Sequence, residues 1–565
     1  MKTFGAYAWW IGWALVLFMG SSFALAAASF TIGLPLTTAV WMGAAVLTVT
    51  LLARAARELP GIGRLPGWMA VTATTALLIV AMASVARQCD DASGDGHWFH
   101  QEGVIQLAEN WNPFYFDADL DLTESDLGDT RKTSMWLASY PKALWIVSSL
   151  VYMTTGDLEA GKVVHWLLGW AAMGTVLWLL LDIGVPAVAA LALAFVSAWT
   201  PVVITQLYSY YLDGDVHCLM VIALASGVRL LRGRDWSTAL VLFASLVLLI
   251  NAKLLGVAYA ALIGLGLGGW ALVRQRAALR WLIGVFCAAG LLGIVWFGYS
   301  PYVRNQRERG HFLYPAMGPN RIFDNALGPR DFPALNRAQD LLTTIYARPE
   351  VFPIFSGATR PKPLLSVTEE DLAQFRHWPD VAVGGYGVLF GEALLGAGLV
   401  MALLLWRPAS WWPVAAVAFA AVMIVGSTLM KEFAWYARYN PQISLIPVIV
   451  AAAAFQHTAG FAGRLRRGLA YGVALLLMVN SVAIGRSYFI GQVELTQHFR
   501  RQVRAAVEAS QESPVVVSFR HLRSFRVYWH KAGVRFREVR RPDLLPCQKP
   551  VTIDMMHAVW CPPER

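Results

Sequence analysis

Apolar residues in this chain arrive in blocks of about 16–22, each long enough as a helix to cross roughly 30 Å of hydrocarbon. A succession of such blocks constrains the fold to a bundle of membrane-crossing helices. Composition agrees: 57% of the 565 residues are hydrophobic and 15% charged, against about 45–50% and a quarter in soluble domains. Many of the 24 tryptophans sit at block edges, as in Ala8-Trp9-Trp10 and Ser410-Trp411-Trp412, where an amphipathic ring meets the headgroups. The net charge of +10 comes mostly from Arg in short loops. That is the topogenic bias of a membrane protein, not a nucleic-acid surface.

Loop charge sets the orientation. The first block, Ala8 to Ala26, leads straight into a second without a small-residue cleavage site, so it is expected to be a retained span. The second (about 34–53) ends in Arg54, Arg57 and Arg64, which marks the cytoplasmic side. The third (about 67–85) then delivers a long polar segment, about 87–160, to the outside. Within it, Pro141 to Thr155 is apolar but short, and is expected to lie in the interface. Counted as a span, it would invert everything downstream.

Spans at about 162–181, 186–205, 216–231, 236–251, 254–273 and 281–299 follow, with Arg229, Arg232, Arg234, Arg274, Arg276 and Arg280 inside. A second large outer loop covers about 300–385. Spans at about 387–405, 411–430, 441–456 and 468–485 complete a count of about 13, with Arg407, Arg464, Arg466 and Arg467 inside. The N-terminus is then cytoplasmic and the C-terminal 489–565 outside.

That tail has the pattern of a small α/β unit: a helix over Thr496–Gln511, a strand over Pro514–Ser518 and a second strand over Phe525–Trp529. Cys547 and Cys561 are candidates for a disulfide in an oxidising compartment. Cys218 and Cys287 fall in spans as packing residues. No cysteine spacing suggests zinc.

Candidate chemistry sits in acidic residues of the outer loops. Asp95, in Gly94-Asp95-Gly96-His97-Trp98-Phe99-His100, precedes a helical pattern. It is either an N-cap or a carboxylate facing water and headgroups together, able to accept a proton. Asp213 and Asp215 share the short loop Tyr210-Tyr211-Leu212-Asp213-Gly214-Asp215. Asp215 is expected to cap the next span and Asp213 to serve the site. Lys253, Arg304, Arg307, Arg309 and Arg438 oppose the positive-inside bias and suit a lipid phosphate or diphosphate.

The order of these motifs is Asp95, Trp111-Asn112-Pro113-Phe114, Tyr140-Pro141, Tyr-Tyr-Leu-Asp213, Ser300-Pro301-Tyr302-Val303-Arg304-Asn305 with Tyr314-Pro315, and Arg438-Tyr439-Asn440-Pro441. Over about 67–456 this resembles bacterial GT-C fold glycosyltransferases, relatives of protein mannosyltransferases and lipid A aminoarabinose transferase. The resemblance implies an all-α polytopic fold with two large periplasmic loops in an inner membrane. It also implies transfer of a sugar from a polyprenyl-phosphate carrier to an envelope glycan, glycolipid or protein.

By the resemblance, Asp95 matches the catalytic Asp of the first outer loop and Asp213 that of the second. Phe99-His100 stands where the family has Tyr-His. Lys253, Arg304 and Arg438 match positions that could hold the carrier phosphate, and His100, Tyr302 and Tyr439 are expected to bind substrate beside them. Residues 1–66 are an additional hairpin before a module at 67–488. The paired acids of eukaryotic members are replaced by Asp95-Gly96, with Asp90 and Asp91 as differently spaced substitutes, so no cofactor is obligatory and a divalent cation is optional. Alternatives from other classes are a polymerase or ligase using a polyprenyl-diphosphate glycan, and a transporter. Against the last, there is no internal repeat and the polar residues gather in loops.

Overall fold

The computed structural model describes residues 2–55, 64–118, 129–319, 321, 329, 332, 335–352, 359–406, 411–456, 460–520, 522–553 and 558–562. Arg57, Arg407 and Ser410 lie outside them. The chain is a polytopic helical membrane protein with a small C-terminal sheet. Among the described residues nine helices are long and apolar enough to cross a bilayer. The four other expected spans coincide with shorter apolar helices at Ala187–Ala198, Trp236–Ala252, Phe390–Trp406 and Pro441–Ala454.

The first helix, Lys2–Thr31, runs through the interior of the bundle. Trp9 and Trp13 are buried, and the helix packs along Val163–Asp182. Glycine permits the close approach: a Cβ on Gly174 would stand 2.4 Å from the Ala8 carbonyl oxygen and one on Gly12 2.9 Å from that of Ala171.

Contacts between successive connections define two ends. At one, Arg54 lies over Trp236, Arg232 pairs with Asp182 at 3.0 Å, Arg274 stacks on Trp412, and Gln456 donates to the Ile183 carbonyl. At the other, Asn112 donates to the Phe30 carbonyl, Asp90 N–H donates to Thr496 and Lys253 meets Asp213.

The helix Ala143–Thr155 belongs wholly to the second end. Ser149 donates to the Val104 carbonyl, Ser148 to that of Gly161, and Asp157, just beyond its C-terminus, pairs with Lys531 of the tail at 2.9 Å. It enters and leaves on the same side, and its 13 residues are few for a crossing.

The last span does not stop near 485. Gly460–Ala509 is one 50-residue helix that carries the chain out of the bundle. Four strands follow, β1 (Val515–Ser518), β2 (Phe536–Glu538), β3 (Val551–Ile553) and β4 (Ala558–Cys561), in the order β2-β1-β4-β3. β1 and β2 are parallel; the other pairs are antiparallel.

The expected strand at Phe525–Trp529 is instead part of the helix Arg523–Ala532, which crosses from β1 to β2. Phe525, Tyr528 and Trp529 are spaced three and four apart and buried together, which is a helical face and not a pleat. Cys547 and Cys561 are disulfide-bonded. Cys218 is buried, whereas Cys287 is exposed on its helix.

Candidate active site

The turn Ala437–Tyr439 is short because Asn440 holds it: its side chain donates to the Phe433 carbonyl at 2.6 Å and to that of Tyr436 at 3.2 Å. Pro441 then opens the next turn, with no N–H left unsatisfied there. This geometry turns Arg438 inward, and its guanidinium meets three carboxylates from distant segments. Asp95 Oδ2 is 3.1 Å away, Asp213 Oδ2 3.1 Å and Asp380 Oδ2 2.6 Å. The Asp213 approach is a close ion pair without a well-aligned hydrogen bond.

Lys253, between two helices, pairs with the other oxygen of Asp213. Tyr436 donates to Asp380. The rings of Tyr211 and Tyr439 flank the Arg438 guanidinium at 4.5 and 5.0 Å, and Lys253 lies 5.0 Å from the Tyr439 centroid. A planar, delocalised cation suits this setting of fork contacts and aromatic faces.

Burial opposes the Arg438 charge, but Asp380 and the other acids outweigh it and raise its pKa further. Burial raises the Asp380 carboxyl, against the pull of Arg438. Lys253 is lowered by burial, with Asp213 opposing. Asp95 is the most accessible acid of the set, its side chain 32% exposed. Among the described residues only its Oδ2 is engaged. It heads its helix without capping it, so the N-cap alternative falls away.

Asp95, Asp213, Lys253, Arg438 and Tyr439 are therefore brought together. His100 lies behind them: Trp145 donates to its Nδ1 at 2.8 Å, which leaves the proton of the neutral ring on Nε2. Burial, then Lys253 and Arg438, hold its pKa well below the usual value.

Tyr302 and Arg304 are not in the group. The Tyr302 hydroxyl is buried against the Ile250 carbonyl. Arg304 grips Asp117 at 2.7 Å and the carbonyls of Pro113 and Phe116, bracing the Trp-Asn-Pro-Phe turn. Asp215 does not cap its helix, whose N-cap is Leu212; it is buried against His165 Nδ1 at 2.7 Å. Asp90 and Asp91 do not complete the site either. Asp90 pairs with Arg500, and Asp91 accepts from Tyr210 N–H and Gln101.

Two members escaped the sequence reading. Asp380 sits at the far end of a long loop, where nothing local marks one acid among many. Lys431 occupies the same end as Lys253, and the same positive-inside argument applies to it. Among the described residues no three His, Cys, Asp or Glu side chains group as a metal site.

No family model matches the chain, and no curated protein does. A solved structure is similar. The crystal structure of ArnT from Cupriavidus metallidurans bound to undecaprenyl phosphate aligns over 83% of this chain and 86% of that one, at 15% identity and a TM-score of 0.41.

Proposed function

We propose that the chain is a membrane glycosyltransferase that moves a sugar from a polyprenyl-phosphate carrier to an acceptor at the outer face of an inner membrane. The observation that carries this is the convergence of Asp95, Asp213 and Asp380 on Arg438 beside Lys253. A partly exposed carboxylate next to fixed cations is what a displacement at a sugar carbon requires. The acceptor hydroxyl or amine attacks the anomeric carbon and gives its proton to Asp95. The bond from that carbon to the carrier oxygen breaks, and the phosphate leaves with the electron pair. Attack opposite the leaving group inverts the anomeric centre.

Positive charge held nearby stabilises the departing phosphate. In this scheme Lys253 and Arg438 supply charge that a metal would otherwise bring. Asp213 and Asp380 hold the Arg438 fork in place. The order of the sequence motifs supports the same reading, and so does the clustering of Arg at the opposite end of the bundle, as the positive-inside rule expects of an outward-facing site. The acceptor is an envelope glycan, a glycolipid or a protein.

The test is Asp95→Asn, assayed for glycosylation in membrane fractions. Loss of a positioned base lowers transfer by about 10²–10⁴-fold. Transfer within a few-fold of wild type sinks the assignment.

A further inference from the structure

Inside the bundle, next to the Arg438 cluster, lies a chamber of about 480 Å³. Its walls come from the helices Val163–Asp182, Asp213–Gly233, Leu255–Arg274, Trp411–Leu429 and Leu445–Ala454, and are almost wholly apolar, as at Leu180, Leu224, Phe419 and Val448. Tyr259 and Gln442 also line it. The Tyr259 hydroxyl is shared between Gln442 Oε1 and the Tyr439 carbonyl, each at 2.8 Å. Lys431 closes this corner: its ammonium meets the Tyr259 hydroxyl and donates to the Tyr439 carbonyl at 2.8 Å. It stands 4.3 Å from the Tyr259 ring centroid.

The state of Lys431 differs from that of its neighbours. Arg438 is held by three carboxylates and Lys253 by one. Among the described residues no carboxylate pairs with Lys431. Lys142 also has none, but its ammonium is engaged by the carbonyls of Ala138 and Tyr140 and faces Trp111, none of which lines the chamber.

With two of its three N–H donors engaged, Lys431 retains one for a single anionic oxygen. Burial, assisted by nearby Lys253 and opposed by Asp213, lowers its pKa to about 7. A buried ammonium without a counter-ion is costly, and a bound phosphate would remove that cost. Lys431 thus stands behind a polar corner of an otherwise apolar chamber, an arrangement that matches a charged head on a long apolar chain.

We propose that Lys431 binds the phosphate of the carrier, whose chain occupies the chamber beneath Tyr259 and Gln442. This rests on the carrier reading given above and adds a ligand to it. Lys431 then sets the preference for an anionic head, while Lys253 and Arg438 keep the charge-stabilising part given to them above.

The experiment is a titration of the full chain in zwitterionic nanodiscs, with a polyprenyl monophosphate and with the corresponding polyprenol. Wild type is expected to bind the phosphate at least about tenfold more tightly, as one charge-assisted hydrogen bond implies. Lys431→Met is expected to bring the two ligands level while polyprenol binding persists; Lys431→Arg is expected to keep the preference. If Lys431→Met loses both ligands, Lys431→Arg decides: a kept preference supports the assignment and a lost one overturns it. Retention of the preference by Lys431→Met overturns the role of Lys431 and leaves the carrier reading standing. Absence of any preference in wild type overturns both.

Discussion

Arg438 is the residue on which the site depends. Its guanidinium is the centre of positive charge among three acids, of which Asp213 and Asp380 are little exposed. Removing one partner of a buried ionic group leaves the others uncompensated, at a cost of about 3–5 kcal/mol. Arg438→Ala is therefore expected to lower stability by roughly 3 kcal/mol, less than the upper value because Asp95 reaches solvent. Asp380→Asn introduced into Arg438→Ala is expected to recover part of that loss, since it removes one of the clashing charges. Thermal unfolding of the four proteins in a double-mutant cycle measures the coupling. Strict additivity would show that the acids do not share the cation. Arg438 was legible in the sequence because it opposes the topogenic bias at an outer span end, and Asp213 because a carboxylate in so short an outer loop must cap, pair or serve a site. Asp380 was not, because its selection depends on how a long loop folds back, and Tyr436 and Arg438 establish that only in three dimensions.

Among the elements, spans were legible because lipid demands a run of apolar side chains whatever the tertiary arrangement. The tail was harder. Phe525-Arg526-Val527-Tyr528-Trp529 carries β-favouring residues, yet burial on one helical face decides the outcome. That helix is also the one that docks the tail onto Gln101–Ala108. Arg523 Nε lies 3.1 Å from Glu102 Oε1, and its other arm reaches Glu109.

Burial raises the Glu102 carboxyl to about 7, against Gln106 and Arg523, which stabilise the anion. The folded state thus keeps a proton that the unfolded chain releases from about pH 4.5 upward. Stability contributed by this group is complete below that value and falls as pH rises toward 7, by roughly 3 kcal/mol in all. Glu102→Gln mimics the protonated form. It is expected to match wild type at pH 5 and to melt at higher temperature than wild type at pH 8. A variant less stable than wild type at pH 8 would mean that the ion pair with Arg523 outweighs burial.

At the scale of the whole molecule, the two ends differ in kind. One gathers Arg54, Arg232, Arg274 and their neighbours against Trp236, Asp182 and Trp412. The other holds the long connections, the disulfide-bonded tail and the acidic site. The assignment of Ala143–Thr155 to the interface joins these facts, because a crossing there would invert everything after it and part Asp95 from Asp213, Lys253 and Arg438, which the structure holds together. On the proposed reading the positive-inside rule puts the Arg-rich end in the cytoplasm, which labelling tests.

Glu109 and Arg232 report on the two ends, since both side chains are about half exposed, at 56% and 48%. In a Cys287→Ser background, a membrane-impermeant maleimide applied to intact spheroplasts is expected to label Glu109→Cys and to spare Arg232→Cys until the membrane is opened. Cys89 and Cys218 are buried and the remaining pair is bonded, so they add little background. The reverse pattern would turn the acidic site to the cytoplasm. There a carrier would present its sugar before translocation, and the proposed reaction would be placed on the wrong side. Labelling of both in intact cells would mean that Ala143–Thr155 crosses after all.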